Sequence, residues 1–270
     1  MKRNLGKLAI WAGQGTLPLT AARNAIRERE VIAIGFRETT DPESYGDAGI
    51  PVRMISLGEM GKNFKFLKSE KVTELVMLGK FPRSFVFGKT GFDLEGLRLL
   101  LKLSNSRDMS IFLVLADELK KRGIKVIPQV RYLGDIKAGK GPLTTRKPSA
   151  DALADIRYGF SIAKTVAEMD IGQTIVVRHQ SVLAIESLEG TNETIKRIQP
   201  KIGAEAVVIK AARKHQDPRF DIPVVGMETL RLMLERNIRT IAVEAEGTIL
   251  ADKPDLLRFA DQKRMIIFGT

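Results

Sequence analysis

The sequence predicts an α/β protein whose first half is a mainly parallel, doubly wound sheet and whose second half is a distinct α/β domain. Three observations lead there. Short apolar runs alternate with amphipathic stretches through the first half, as strands and crossover helices do. A glycine-bearing turn, Ala12-Gly13-Gln14-Gly15, follows the first apolar run and opens a helical stretch. A Gly- and Pro-bearing basic stretch without apolar period, Gly134–Pro148, then precedes a second run of helices and strands. The expected division is residues 1–138, a connection at 139–148, and residues 149–270.

The elements follow in order. Leu8–Trp11 reads as a strand and Leu17–Arg29 as a helix. Val31–Gly35 is a strand, Phe64–Ser69 a short helix and Leu75–Gly79 a strand. Leu97–Leu103 and Met109–Arg122 have helical spacing, the second closed by Gly123 as a C-cap. Ile124–Ile127 is the next strand. In the second half, Leu153, Ile156, Phe160, Ala163 and Val166 mark a helix over Ala150–Glu168. Thr174–Val177 and Val182–Ile185 form two strands about the turn Arg178–Ser181. A helix over Asn192–Ile198, a strand at Ala206–Ile209, a polar loop to Pro223, a helix from about Glu228 to Arg236 and a strand at Thr240–Glu244 complete the expectation.

Composition removes several chemistries. The 270 residues are 44% hydrophobic and 28% charged, ordinary for a folded chain. Cysteine is absent, which excludes disulfides, thiolate metal sites and thiol nucleophiles. Only His179 and His215 are present, too few for a polyhistidine zinc site, and no G-x-S-x-G turn carries a serine nucleophile. The polar start, Met1–Gly6, and the short apolar run Ile111–Ala116 lack the features of a signal peptide or a span of roughly 20 residues. A cytoplasmic protein is expected. Net charge is +12 and uneven, with 24 Lys and Arg against 15 Asp and Glu in residues 1–139. Such a surface suits anionic partners or is simply solvated. Aromatics make up only 6%, which argues against a base-stacking face.

Gly13-x-Gly15-x-x-Pro18 sits where backbone amides can meet a phosphate, or where a tight turn needs small residues. Pro18 replaces the third glycine of the dinucleotide fingerprint. Lys62, Lys65, Lys68 and Lys71 recur every third residue, the pattern of a solvated helix face. In Glu189-Gly190-Thr191-Asn192, Thr191 or Asn192 can cap a helix, Gly190 permits close approach, and Glu189 can orient a hydroxyl or a metal. Lys210–Pro223 is the densest constellation. After a buried strand it gathers cations that can neutralise a pyrophosphate and two carboxylates, Asp217 and Asp221, that can bind Mg²⁺ or activate water. A loop of mutually neutralising charges is the plainer reading. His215 and His179 read as surface residues.

These segments resemble one family. Asp170-Ile171-Gly172-Gln173-Thr174-Ile175-Val176-Val177 is similar to its D-x-G-Q-x-x-V-V segment. Val182-Leu183-Ala184-Ile185-Glu186 with Glu189-Gly190-Thr191 is similar to V-L-A-V-E…E-G-T-D, and Gln216-Asp217-x-Arg219-x-Asp221-Ile222-Pro223-x-x-Gly226 to Q-D-x-R-x-D-L-P-x-x-G. Leu143-Thr144…Pro148…Asp151…Asp155-Ile156…Gly159 and the opening glycine turn also fit. The family is the LpxI-type UDP-2,3-diacylglucosamine pyrophosphatases of lipid A biosynthesis. Asn192 stands where the family segment has Asp. If that Asp binds metal directly, this chain must bind it more weakly or through another group.

The resemblance implies hydrolysis of UDP-2,3-diacylglucosamine, with Mg²⁺ or another divalent cation, to UMP and 2,3-diacylglucosamine 1-phosphate. It implies an N-terminal Rossmann-like domain, a distinct C-terminal α/β domain and a site between them. Asp221 and Asp217 are the expected catalytic and metal-binding carboxylates. Gly13, Gln14, Gly15, Glu189, Gly190, Thr191, Asn192, Lys210, Gln216 and Arg219 are expected to bind substrate. The acylated substrate implies peripheral contact with an anionic membrane surface, on the inner face of the inner membrane. No nucleic-acid partner is expected, and a homodimer is admissible. Two rivals are an oxidoreductase using the glycine turn, with Glu38 as a poor ribose ligand, and a basic nucleic-acid-binding protein without a recognisable reading motif.

Overall fold

The computed structural model describes residues 5–37, 39–56, 58–81, 91–102, 108–213 and 217–270. The chain divides into two compact units, Met1–Gly134 with Pro218–Phe220, and Asp135–Asp217 with Asp221–Thr270.

The first unit is a five-stranded, fully parallel sheet in the order β3-β2-β1-β4-β5. Its strands are β1 (Lys7–Ala12), β2 (Val31–Phe36), β3 (Val52–Ile55), β4 (Val72–Leu78) and β5 (Lys125–Val126). β2 is buried along its whole length and β1 nearly so, as expected when both faces of a parallel sheet are covered. Helix α1 (Leu17–Ala25) turns Ala21, Ala22 and Ala25 inward, and it stops four residues short of the expected Arg29. A short α2 (Glu43–Asp47) and the edge strand β3 lie in a stretch from which no element was expected. Helix α3 (Met60–Ser69) buries Met60, Asn63, Phe64 and Leu67, one helical stripe. Helices α4 (Leu94–Lys102) and α5 (Asp108–Lys121) follow. Gly123, at φ 79°, closes α5, with Gly123 N donating to Lys120 O and Ile124 N to Leu119 O. The core gathers Trp11, Phe36, Phe64, Leu67, Leu75, Met77 and Leu119. Phe220 joins it by stacking on Phe112 with ring centroids 5.7 Å apart, and Pro218 O accepts from Gln129 N at 2.8 Å.

One buried charge cluster in this unit carries a pH-dependent prediction. Glu118, 6% exposed, accepts from Lys102 at 2.6 Å and Arg122 at 2.6 Å. Those bonds, led by Lys102, hold its carboxyl down at about 2 from an ordinary 4.5. A depressed folded pKa contributes stability above the ordinary value and loses it as pH falls toward the depressed one. Glu118→Gln is therefore expected to destabilise by about 1–3 kcal/mol at neutral pH. The difference shrinks as pH falls from 4.5 toward about 2. Urea denaturation near neutrality and in that acid window checks it, and an equal difference at both would refute the assignment.

The second unit holds a six-stranded mixed sheet in the order β6-β13-β11-β9-β7-β8. Here β6 is Gly141–Pro142, β7 Thr174–Arg178, β8 Ser181–Ile185, β9 Val207–Lys210, β11 Thr240–Val243 and β13 Ile266–Gly269. β9, β11 and β13 run parallel, while β6, β7 and β8 each pair antiparallel with a neighbour. Within the stretch read as a connection, Gly141–Pro142 thus pairs with Phe268 and Gly269. A separate ribbon joins β10 (Val224–Val225) to β12 (Ile249–Leu250). Helix α6 (Ala150–Glu168) starts at Ser149, whose Oγ accepts from Ala152 N at 3.2 Å. Alternate strand residues separate two cores. Ile175, Val177, Val207 and Ile209 pack with Ile156 and Ala163 of α6. Val176, Val208, Ile241 and Ile267 face the core that includes Ile195 of α7 (Thr191–Lys196), Leu230 and Met233 of α9 (Met227–Glu235), and Leu256 of α10 (Lys253–Gln262). The four-residue α8 (Pro200–Gly203) lies between α7 and β9. The β7–β8 turn places His179 and Gln180 at positive φ, and the buried Asp155 carboxylate accepts both their amides, at 3.0 and 2.6 Å. No helix among the described residues is long and apolar enough to cross a membrane.

Candidate active site

The parallel strands of the second unit end at a polar cluster, where open α/β sheets hold ligands. β9 ends at Lys210, opposite Thr174, the first residue of antiparallel β7. Register therefore sets Gln173 beside the loop that leaves β9. Gln173 Nε2 donates to Asp221 Oδ2 at 3.1 Å and more weakly to Oδ1 at 3.4 Å. Arg213 NH1 meets the same Oδ2 at 3.1 Å, and its NH2 meets Asp170 at 2.9 Å. Oδ2 is thus held from two sides, whereas Oδ1 has one long contact among the described residues and stays open to a proton or an ion. Asp221 N donates to Asp217 O at 3.3 Å, closing a turn that carries both carboxylates.

The root of the loop is fixed separately. Glu244, just past β11, accepts from Ala212 N at 2.7 Å and from Lys164 of α6 at 3.1 Å, and Lys164 also donates to Ala212 O at 2.7 Å. Lys210, 9% exposed, donates to Thr191 Oγ1 at 2.7 Å. Thr191 lies 3.0 Å from Thr174 Oγ1 and 3.2 Å from both oxygens of Glu186. Two cations thus lie at this end of the sheet, Arg213 on Asp221 itself and Lys210 on Thr191 beside Thr174. That arrangement can neutralise a phosphate anion beside a carboxylate.

The other expected residues fall as follows. Gly190, at φ 85°, is the N-cap of α7 in a backbone region that favours glycine. Glu189 accepts from Ser187 at 2.5 Å, Thr194 at 3.3 Å and Arg197 at 3.0 Å, and the Ser187 bond, first among these, keeps its carboxyl below the usual range. Asn192 Oδ1 accepts from Thr229 at 3.0 Å. Arg219 lies over the Phe220 ring at 4.7 Å. Gln216 falls outside the described residues, as do Lys214, His215 and Glu38.

Gly13, Gln14 and Gly15 belong to the first unit. Gly13 N donates to Leu78 O at 2.8 Å, and Gln14 and Lys80 exchange backbone bonds at 2.9 Å. A Cβ on Gly13 would stand 2.8 Å from Lys80 O. Two amides of this turn thus close the ends of β1 and β4, and glycine is required by that approach. Gly15, at φ 107°, has open space around it. With Gly13 and Gln14 so occupied, the dinucleotide reading loses its phosphate donors at those two positions.

Gln173, Arg213, Glu186, Thr174 and the Lys164–Glu244 pair were not among the expected site residues. Gln173 and Glu186 do lie within segments that carried the family resemblance, which was the available signal. Asp221 and Asp217 suit a divalent cation of the magnesium kind, which binds one or two carboxylates, keeps several waters and takes its remaining ligands from substrate phosphates. Among the described residues no group of three His, Cys, Asp or Glu could hold an ion alone. An ion held by two carboxylates takes its remaining ligands from water or phosphate oxygens.

Comparison with known proteins finds two domain matches in succession along the chain. Residues 7–136 match the LpxI N-terminal domain and residues 139–268 the LpxI C-terminal domain. The UDP-2,3-diacylglucosamine pyrophosphatase LpxI of Caulobacter vibrioides is 27% identical over 278 residues, covering 97% of each chain. Both domain families occur here in order and together span nearly all 270 residues, so this chain belongs to the LpxI family.

Proposed function

We propose that the chain hydrolyses the pyrophosphate of UDP-2,3-diacylglucosamine, giving UMP and 2,3-diacylglucosamine 1-phosphate. The observation that carries this is the match of both LpxI domains along the chain, supported by the activity in the relative's name. The geometry of the second unit suits the chemistry. Asp221, oriented by Gln173 and Arg213, can take a proton from water as its oxygen bonds to phosphorus and the bridging P–O bond breaks. Lys210 and Arg213 can balance charge on the diphosphate. Asp217 would hold a divalent cation, with Asp221 contributing until its Oδ1 takes the proton, and the cation would supply further charge neutralisation at the phosphates. Glu189, Gly190, Thr191 and Asn192 form the adjacent rim for the polar part of the substrate. The acyl chains and the excess of basic residues favour work at an anionic bilayer surface.

Mass spectrometry of products from UDP-2,3-diacylglucosamine and Mg²⁺ tests the reading directly. UMP and the lipid 1-phosphate are expected in equal amounts. In ¹⁸O water the label identifies which phosphorus is attacked. Intact substrate after prolonged incubation with folded protein would reject the proposal.

A further inference from the structure

The lysine series of α3 and the leucines of α4 take no part in the site above. Because α3 buries Met60, Asn63, Phe64 and Leu67, its Lys62, Lys65 and Lys68 are left exposed. Lys62 also pairs with Glu59 at 2.5 Å. The start of α4 is fastened to the start of α3. Asp93 N donates to Gly58 O at 3.0 Å, and the Asp93 carboxylate accepts from Gly61 N at 2.7 Å and Gly96 N at 2.8 Å. With Gly96 and Leu99 buried, α4 turns the other way with Leu94, Leu97 and Leu101, which are 78%, 49% and 80% exposed. Their spacing, i, i+3 and i+7, makes one stripe. Arg98 is exposed beside it, and Leu113 of the neighbouring α5 is 46% exposed. Single exposed leucines are ordinary on a protein surface, whereas a stripe of three on one helix in a strongly basic half of the chain is not.

We propose that α3 and α4 form the surface by which this protein docks on an anionic phospholipid bilayer. Leu94, Leu97 and Leu101 enter the boundary between headgroups and acyl chains, and Lys62, Lys65, Lys68 and Arg98 meet lipid phosphates. The occupant follows from charge complementarity. Exposed leucines on α4 and exposed lysines on α3, the helix to which its start is fastened, in a half of the chain with 24 Lys and Arg against 15 Asp and Glu, match a negatively charged interface with an oily interior. The inference rests on the proposed function, because an acylated sugar nucleotide is the reason to dock, and it names the contact surface.

The test is co-sedimentation of the full chain with phosphatidylglycerol–phosphatidylcholine vesicles and with phosphatidylcholine vesicles alone. Binding to the anionic vesicles, weakened at high salt, is expected. Leu94→Gln/Leu97→Gln/Leu101→Gln should lower partitioning at least about tenfold, and Lys62→Gln/Lys65→Gln/Lys68→Gln should do so on anionic vesicles only. The single Leu101→Gln, expected to cost about threefold, serves if the triple variant fails to fold. Turnover on detergent-dispersed substrate should match the parent in every variant. Loss of vesicle binding in these variants from a chain that proves unable to hydrolyse the substrate would keep the docking surface and reject the function. Three results overturn the docking surface. One is unchanged partitioning of the leucine variants. Another is a change in oligomeric state without a change in partitioning, which assigns the stripe to a second copy. The third is an equal fall in turnover on dispersed substrate, which assigns the leucines to acyl-chain binding.

Discussion

Asp221→Ala is expected to lower turnover at least about a hundredfold, the lower end for losing a general base, while the protein stays folded and still binds lipid product. Asp221 is only partly buried, so removing its carboxylate opens no core cavity, and the pair it leaves behind, Arg213–Asp170, can persist at 2.9 Å. What is lost is the one carboxylate in the loop whose Oδ2 is clamped by Gln173 and Arg213 and whose Oδ1 is left accessible. A base held that way needs no reorganisation when water attacks. Asp221→Asn, assayed at saturating Mg²⁺ because it also weakens a candidate metal ligand, keeps the shape and much of the clamp but cannot take the proton. It should be nearly as slow as the alanine variant. Gln173→Ala should lose about tenfold in kcat with little change in KM, because Arg213 still holds Oδ2 when the amide is gone. Asp217→Ala should hurt less than Asp221→Ala. Near-normal turnover of a folded Asp221→Ala protein would move the chemistry, and Asp217 and Glu189 would be tested next.

The difference between what the sequence disclosed and what folding added is visible at this same carboxylate. The place of Asp221 in a polar cluster is legible, because it closes a dense polar loop before Ile222-Pro223 and lies in a segment resembling the family. Its partners were harder to see. Arg213 is one of several cations in one loop, and no spacing rule separates it from Lys214 or Arg219. Gln173 is 48 residues away in sequence and reaches Asp221 only because β7 runs antiparallel to β9 with Thr174 opposite Lys210. The fold shows the same limit. α6 was delimited correctly by its apolar period, whereas β3, a half-buried edge strand, has too weak a pattern to stand out. The last 26 residues also carry a signal in their sequence. Pro254 opens α10, Leu256 and Ala260 are its buried stripe, and Ile266-Ile267-Phe268 is an apolar run of strand length. At Gly13 the sequence leaves phosphate contact and a tight turn both open, and the folded chain shows the close approach to Lys80 O that the turn demands, which a single strand–turn–helix pattern does not reveal.

Exhaustive chelation with EDTA is expected to lower hydrolysis at least about a hundredfold, because charge stabilisation by a divalent ion at a phosphoryl group is worth several kcal/mol. The ion should be a hard one. The chain has no cysteine, and of its two histidines the described one, His179, is in the β7–β8 turn beside Glu205, away from the loop of Asp217 and Asp221. The candidate ligands Asp217 and Asp221 offer carboxylate oxygens, and these select magnesium or manganese over softer metals. The same donor set implies how the ion is held. With Asp221 Oδ2 engaged by Arg213 and Gln173, and no trio of acidic or imidazole groups among the described residues, the free protein should bind the ion weakly and depend on substrate phosphates to complete its coordination. Chelation should then leave the thermal unfolding midpoint of the substrate-free protein unchanged, since an ion that does not bind the folded state tightly cannot stabilise it. Added Mg²⁺ should restore activity, and Asp221→Asn should raise the Mg²⁺ concentration needed to saturate its residual rate. Full activity after exhaustive chelation would refute the metal requirement. A large fall in the unfolding midpoint on chelation would instead reveal a resident ion, and the carboxylates beyond Asp217 and Asp221 would then have to supply its ligands.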